Sequence, residues 1–317
     1  MKKVLKFGLW LLFLLIVVSA VYIIIHWVPD RSVDDLKAKW AQPPSQFISV
    51  AGMGVHLRDE GPRNDKTPIV LLHGTSASLH TWDGWVDALK GERRVIRFDL
   101  PGFGLTGPDT KNDYTIENYA HTIMAVLDHL QVERSMIVGN SLGGHIAWFT
   151  ALLNPSRFDG LVLVDATGYP FKPESVPIGF MIARIPLLNQ LMENVLPRSI
   201  VESSVKNVYA NPDLVSEELV SRYFDLTTRV GNRKALAFRL KQMKPGTHAH
   251  RIKELKLPTL IMWGEHDRLI PPEIGDLFHQ DIVGSQLVRF EHLGHVPQEE
   301  DPAATVAVFK QFLTQFE

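Results

Sequence analysis

The stretch Met136-Ile137-Val138-Gly139-Asn140-Ser141-Leu142-Gly143-Gly144-His145-Ile146-Ala147-Trp148-Phe149 passes from a short apolar run into a helix-like pattern through one serine set between glycines. A strand that turns this sharply into a helix holds its central residue in a strained backbone, and glycine two positions to either side removes Cβ atoms that would clash. Ser141 is therefore expected at the tip of the turn. The helix starting there aims its free N–H groups at the same point, so Leu142 N–H is placed to bond a developing oxyanion. A small-residue turn of this kind also occurs in ordinary proteins, so the partners decide its meaning.

A serine hydroxyl is a poor nucleophile at neutral pH and needs a base, usually a histidine oriented by a carboxylate. Among the 13 histidines, His295 stands out in Glu291-His292-Leu293-Gly294-His295-Val296-Pro297, a loop after the strand-like Gln286-Leu287-Val288-Arg289-Phe290. The carboxylate candidate is Asp267, in Gly264-Glu265-His266-Asp267-Arg268, which follows the buried-strand pattern Thr259-Leu260-Ile261-Met262-Trp263. Asp165, at the end of another strand-like run, is the second candidate. Ser141, Asp267 and His295 each lie just past an apolar strand, where α/β folds place catalytic groups. Their chain order, Ser then Asp then His, differs from the orders of the two unrelated serine-protease folds. A further short strand, Pro68-Ile69-Val70-Leu71-Leu72, runs into His73-Gly74-Thr75-Ser76. Thr75 N–H is a candidate second oxyanion donor beside Leu142, and loss of one such donor costs about 10²–10³ in rate. His73 reads as a brace for that loop.

These residues, with Asp99-Leu100-Pro101-Gly102-Phe103-Gly104 and Gly294-His295, make residues 46 to 317 resemble the α/β-hydrolases, in particular small bacterial esterases and lipases and membrane-anchored monoacylglycerol lipases. The resemblance implies a mostly parallel eight-stranded sheet with helices on both faces and a helical cap inserted before the acid-bearing strand. It implies a Ser-His-Asp serine carboxylic ester hydrolase with no cofactor and no metal. Serine at position 141 argues against haloalkane dehalogenases and epoxide hydrolases, which use aspartate there. The Gly-Asn-Ser-Leu-Gly-Gly turn and Trp263-Gly264-Glu265-His266-Asp267-Arg268 also resemble carbon–carbon bond hydrolases of aromatic ring degradation. In that family an aromatic residue usually follows the histidine, whereas here Val296 does. A non-catalytic ligand-binding α/β-hydrolase is the remaining alternative, disfavoured by three intact candidate residues.

The pattern along the chain agrees. Apolar runs at 68–73, 94–99, 135–139, 160–165 and 258–263 alternate with helical patterns at 115–130, 142–153 and 272–279, which predicts crossover units and a parallel sheet. Residues 46–51 and 54–60 predict an opening hairpin. The core is assigned to 46–167 and 253–317. Between them, 168–252 reads as a cap of proline-punctuated amphipathic helices, including Ile178–Arg184 and Leu187–Met192, too long for an ordinary loop. Its apolar residues either line a substrate pocket or pack cap to core.

The amino terminus carries a separate statement. Phe7 to Val28 is an apolar run without Asp, Glu, Lys or Arg. It spans roughly 33 Å as a helix, enough for the hydrocarbon core of a bilayer. Residues 1–28 are therefore read as a membrane anchor. A cleaved signal peptide is the rival, since Val18-Ser19-Ala20 suits a signal peptidase, but Tyr22-Ile23-Ile24-Ile25 carries the run past that site. Lys2, Lys3 and Lys6 favour a cytoplasmic amino terminus, although Arg31, Lys37 and Lys39 lie close on the other side. In a bacterium this gives an inner-membrane protein with a periplasmic catalytic domain. Residues 29–45 read as a linker that lifts the domain off the membrane.

A net charge of −2 gives no footprint for nucleic acid, and the absence of cysteine rules out disulfides and thiolate chemistry. His248 and His250 have too few partners for a metal site. His145 reads as a helix-packing residue, His292 as a weaker base than His295, and Glu265 as a solvated loop carboxylate. Anchor and apolar cap together point to a small-molecule ester or lipid substrate, monoacylglycerols foremost; the oligomeric state is left open.

Overall fold

The computed structural model describes residues 2–185 and 190–316. The eight strands are β1 (Gln46–Val50), β2 (Met53–Glu60), β3 (Ile69–Leu72), β4 (Val95–Phe98), β5 (Ser135–Asn140), β6 (Phe158–Val164), β7 (Thr259–Gly264) and β8 (Gln286–Phe290). They form one sheet in the order β1-β2-β4-β3-β5-β6-β7-β8. Only β1–β2 and β2–β4 pair antiparallel, so the predicted mostly parallel eight-stranded sheet is present. The opening hairpin closes through Ala51 and Gly52, both at positive φ, a turn whose twist suits two strands joined this tightly.

Among the described residues the α-helices of six residues or more are α1 (Lys2–Ile25), α2 (Val33–Trp40), α3 (Asp83–Leu89), α4 (Ile116–His129), α5 (Leu142–Leu153), α6 (Ile178–Ala183), α7 (Arg198–Val208), α8 (Glu217–Thr227), α9 (Asn232–Gln242), α10 (Glu273–Asp281) and α11 (Pro302–Leu313). Central strands are buried on both faces and read as unbroken apolar runs because helices cover both sides. On β7, Ile261 and Trp263 pack with α4, α5 and α10, while Leu260 and Met262 pack with α3 and α11. Trp85 stacks on Phe309 across α3 and α11, and Trp263, Phe278 and Tyr169 fill the opposite layer. The segment from Asp165 to Pro258 leaves the sheet as α6 to α9. Of the two cap helices expected from the sequence, Ile178–Arg184 corresponds to α6, while the one over Leu187–Met192 falls in part outside the described residues.

The amino-terminal region differs from expectation in two places. The apolar helix α1 is exposed along its length and is long and apolar enough to cross a membrane, but it ends at Ile25, so His26 to Val28 are not part of it. Trp27 forms a bridge to Val195, fixed by Val28 N–H donating to Asn194 O (2.7 Å) and Leu196 N–H to His26 O (3.0 Å). Residues 29–45, expected to be a linker, are folded against the globular part. Helix α2 has a Ser32–Asp35 capping box, and its Leu36 and Trp40 are buried with Leu105 and Leu226. Asp225 on α8 accepts from Arg31 Nη1 (2.9 Å), Lys39 Nζ (3.1 Å) and Trp40 Nε1 (3.0 Å). Asp30 pairs with Arg233 on α9. Burial of two apolar side chains and a shared acceptor hold the segment in place, where a solvated chain would have neither.

Asp225→Ala removes that acceptor from three donors at a largely buried point. The expected loss is about 1–3 kcal/mol of stability, with faster tryptic cleavage after Lys37 and Lys39. An unchanged melting temperature and cleavage rate would show that the clasp contributes nothing in solution.

Candidate active site

Ser141 sits where β5 gives way to α5, with φ 55° and ψ −115°, a conformation that costs a non-glycine residue about 1–3 kcal/mol. The residues two positions to either side must be glycine for steric reasons. A Cβ on Gly139 would collide with the Gly143 carbonyl, and one on Gly143 with the Leu72 carbonyl. Ser76 and Asp165, at the ends of β3 and β6, also have positive φ. Three strained residues thus crowd the carboxyl edge of the central strands, a pattern that clusters at functional sites.

His295 and Asp267 meet there. His295 Nδ1 lies 2.7 Å from Asp267 Oδ2, and both side chains are buried. Asp267 Oδ1 accepts from the N–H groups of Leu269 (2.8 Å) and Ile270 (2.9 Å), which fixes the carboxylate in its loop. The acceptor role of Asp267 places the proton on His295 Nδ1 and leaves Nε2 as the free base. Asn140, the residue before Ser141, donates Nδ2 to His295 O (3.0 Å) and to Val164 O (3.2 Å), tying the histidine loop to the serine turn. Its place in the Gly-Asn-Ser sequence was visible, but this bridging role was not. Asp165 lies beside Asp267 without a hydrogen bond to His295, so the imidazole is oriented by Asp267. His292 is exposed, and Glu265 is not simply solvated, because it pairs with Arg289 (3.0 Å).

Thr75 lines the same cavity as Ser141 and His295, and Leu142 is the first residue of α5. Neither backbone N–H has a hydrogen-bond acceptor among the described residues, so both are available to an external oxygen. His73 does brace its loop: Nδ1 donates to Gly74 O (2.7 Å) and Nε2 accepts from Leu100 N–H (2.9 Å). His145 is half-buried and stacked on Trp148, and His248 accepts or donates at Glu117 (2.9 Å).

A second Ser-His-Asp array lies behind the loop that follows β3, next to His73. His56 Nδ1 is 2.7 Å from Asp99 Oδ2, and its Nε2 is 2.9 Å from Ser45 Oγ. Ser45 Oγ also accepts from Arg58 Nε (2.9 Å), a cationic donor that lowers its nucleophilicity. Asp99 is fully buried, and despite the cost of that burial His56 holds it below the usual carboxylate range. Its oxygens accept from Leu79 N–H and Leu105 N–H, closing the Pro101-to-Gly104 turn. This array is structural.

The cavity beside Ser141 has a volume of about 320 Å³. Ser141, Thr75 and His295 lie on its core side, and Phe180, Leu196, Val205 and Leu236 wall it from the cap side. It is a mostly apolar chamber with Ser141 and His295 at its core end and Ser204, Thr227 and Arg233 among its cap-side lining, a form that suits a largely apolar small molecule held by a few polar groups.

A family-wide sequence pattern described as the alpha/beta hydrolase fold matches residues 67–302. The chain belongs to the α/β-hydrolase family. The 2-hydroxy-6-oxo-2,4-heptadienoate hydrolase of Pseudomonas putida is 29% identical over 284 residues, which cover 84% of this chain and 95% of that one. A solved meta-cleavage product hydrolase from Pseudomonas fluorescens superposes with a TM-score of 0.74 at 25% identity, over 86% of this chain and 98% of the other. A solved membrane phospholipase A has the same fold, with a TM-score of 0.72 at 22% identity over 99% of both chains. The family membership fixes the α/β-hydrolase fold and supports hydrolase activity.

Two histidines of this α/β-hydrolase predict how its stability varies with pH. Desolvation pushes the imidazoles of His80 and His145 down to about 3 from their ordinary 6.5. Between those values the unfolded chain binds protons that the folded chain does not, so stability rises with pH through this window. It falls as the pH drops below 6.5, by up to about 1.4 kcal/mol per pH unit for each histidine. Urea titrations at pH 7, 6 and 5 check this, and His145→Gln should flatten the slope; an identical slope in that variant would contradict the assignment.

Proposed function

We propose that this protein is a serine hydrolase that cleaves carboxylic esters of membrane amphiphiles, monoacylglycerols among them. In this reading His295 Nε2 takes the proton of Ser141 Oγ, which attacks the ester carbonyl. Thr75 and Leu142 N–H groups hold the oxyanion, and His295 then protonates the departing alcohol. Water repeats the sequence on the acyl-enzyme, with Asp267 holding the imidazole in its working tautomer. The observation that carries the reading is the apolar cavity, whose cap wall is hydrogen-bonded through Asn194 and Leu196 to residues 26–28 at the foot of α1.

The apolar face of α6 supports the same reading. Ile178 and Met181, three residues apart on α6, are exposed, as is Ile185 in the bend that follows the helix, while Phe180 and Ala183 line the cavity. Leu191, close in sequence to the bridge at Val195, is exposed as well. A helix segment apolar on both sides suits a cap that lies on a bilayer and draws substrate from it. We read α1 as an uncleaved single-pass anchor, with Lys2, Lys3 and Lys6 on the cytoplasmic side and the catalytic domain periplasmic.

The second reading is a carbon–carbon bond hydrolase of ring-cleavage products, favoured by the named activities of the relatives. Those substrates are dienoate anions, and an apolar cavity binds an anion only if a cation faces it. Among the described cavity-lining residues the guanidinium groups are Arg184, which is exposed, and Arg233, whose Nε and Nη2 are held by Asp30 at 3.1 and 2.5 Å. Asp30 offsets the charge of Arg233 and so favours an uncharged ester, while the buried Nη1 of Arg233, which has no partner among the described residues, is the donor that a dienoate carboxylate would need.

Full-length protein in detergent, with Ser141→Ala as control, should hydrolyse a long-chain monoacylglycerol faster than a butyrate ester. The control should lose about 10³-fold or more of that turnover. Turnover of a 2-hydroxy-6-oxo-dienoate in preference to both esters would replace the first reading with the second, and silence on all three would favour a ligand-binding role. Exchanging Ile178, Met181 and Ile185 together for glutamine should slow hydrolysis of esters embedded in vesicles several-fold and leave butyrate turnover unchanged. Equal loss on both would refute a bilayer-facing α6.

A further inference from the structure

Asp165 is fully buried at the end of β6 and held at φ 45° by a hydrogen bond from its own N–H to Met262 O (3.0 Å). A non-glycine residue in that conformation is costly, and here it turns a carboxyl group inward, onto the site described above. One side-chain oxygen or nitrogen from each of Asp165, Asp267 and His295 falls within 4.8 Å of the others. Asp165 Oδ1 accepts from Gly264 N–H (3.0 Å), while Oδ2 is buried with no acceptor or donor assigned to it.

The two carboxyl groups differ in what surrounds them. Asp267 receives two backbone N–H groups and the imidazole, three donors that suit an ionised carboxylate. Asp165 receives one N–H and faces only negative or neutral groups besides His295: Asp267 and, further off, Glu300. Glu300 is itself committed to the N–H groups of Gly294 and Ala210, at 2.8 Å each. Two adjacent carboxylates beside a single imidazole would leave one buried charge without compensation.

We infer that Asp165 is a positioning residue that carries a proton on Oδ2 and donates it to the Asp267 carboxylate. Burial and the Asp267 charge push the Asp165 carboxyl well above its usual range, which agrees with the geometry. The donated hydrogen bond gives Oδ2 its missing partner. It also makes Asp267 a weaker base, so that Asp267 orients His295 without taking its proton, and it fixes the carboxylate from the side opposite its loop. Asp165 touches neither substrate nor the reacting atoms; it acts through Asp267.

The inference rests on the serine-hydrolase reading, and the test separates the two. The rate of labelling by a fluorophosphonate probe is followed against pH for full-length wild type, D165N, D165L and S141A. Labelling that survives in S141A defeats the serine-hydrolase reading itself. With labelling confined to Ser141, D165N keeps an N–H donor and should label within about threefold of wild type, with the acid limb of its pH profile unmoved. D165L removes the donor at similar volume and should label about tenfold to a hundredfold more slowly, with the probe concentration for half-maximal rate unchanged. An ionised Asp165 would stabilise the imidazolium, so its replacement by asparagine would move the acid limb down by a unit or more and overturn the inference. D165L labelling as fast as D165N would also overturn it, because it would show that Asp165 only fills space. If D165L fails to fold, the acid limb of D165N decides alone.

Discussion

The backbone of Ser141 is the constraint on which the rest of the site depends. Its conformation is tolerable only because the strand before it and the helix after it are both locked into the core, with Met136, Ile137 and Val138 buried on β5 and Ile146, Ala147 and Trp148 buried on α5. The glycines around it let α5 approach β3 so closely that a single Cβ would strike the Leu72 carbonyl. The close approach in turn places the loop after β3, with Thr75 and the strained Ser76, against the serine. Asn140 then carries the order across to the histidine loop. A site that must hold several groups within tenths of an ångström is thus built on the most deeply packed strands of the sheet.

Much of this was legible in the sequence because it follows from local chemistry. Parallel strands covered on both faces appear as unbroken apolar runs, so β3, β5, β6 and β7 were found within a few residues of their ends. The turn at Ser141 and the loops bearing Asp267 and His295 follow those runs directly. Other features depend on contacts between residues distant in the chain. The fold of residues 29–45 rests on Asp225 and Leu226, almost two hundred positions away, so mixed charge and Pro43-Pro44 read as a linker. A local signal was nevertheless present: Ser32 followed three residues later by Asp35 is a helix start. The structural array of Ser45, His56 and Asp99 is likewise assembled only by the sheet, and the catalytic-looking geometry it creates shows why burial and competing donors must be considered with the residue types.

The segment that follows α1 and the cap are parts of one unit. The chain leaving α1 bridges to Val195, pairs with Arg233 through Asp30, and is gripped by Asp225 on α8 through Arg31, Lys39 and Trp40. The same cap segments wall the cavity. Orientation of the domain at a membrane would therefore be fixed by the elements that enclose the substrate, a geometry unavailable to a domain on a flexible tether.

The account's central claim is that a hydrocarbon chain lies in the cavity between cap and core while its carbonyl reacts at Ser141. A crystal structure of the protein inactivated with a hexadecyl phosphonate tests this most directly. The account predicts phosphorus bonded to Ser141 Oγ, its oxygen facing the N–H groups of Thr75 and Leu142, and the alkyl chain running past Phe180, Leu196 and Leu236. No adduct on Ser141, or a chain lying outside that cavity, would contradict it.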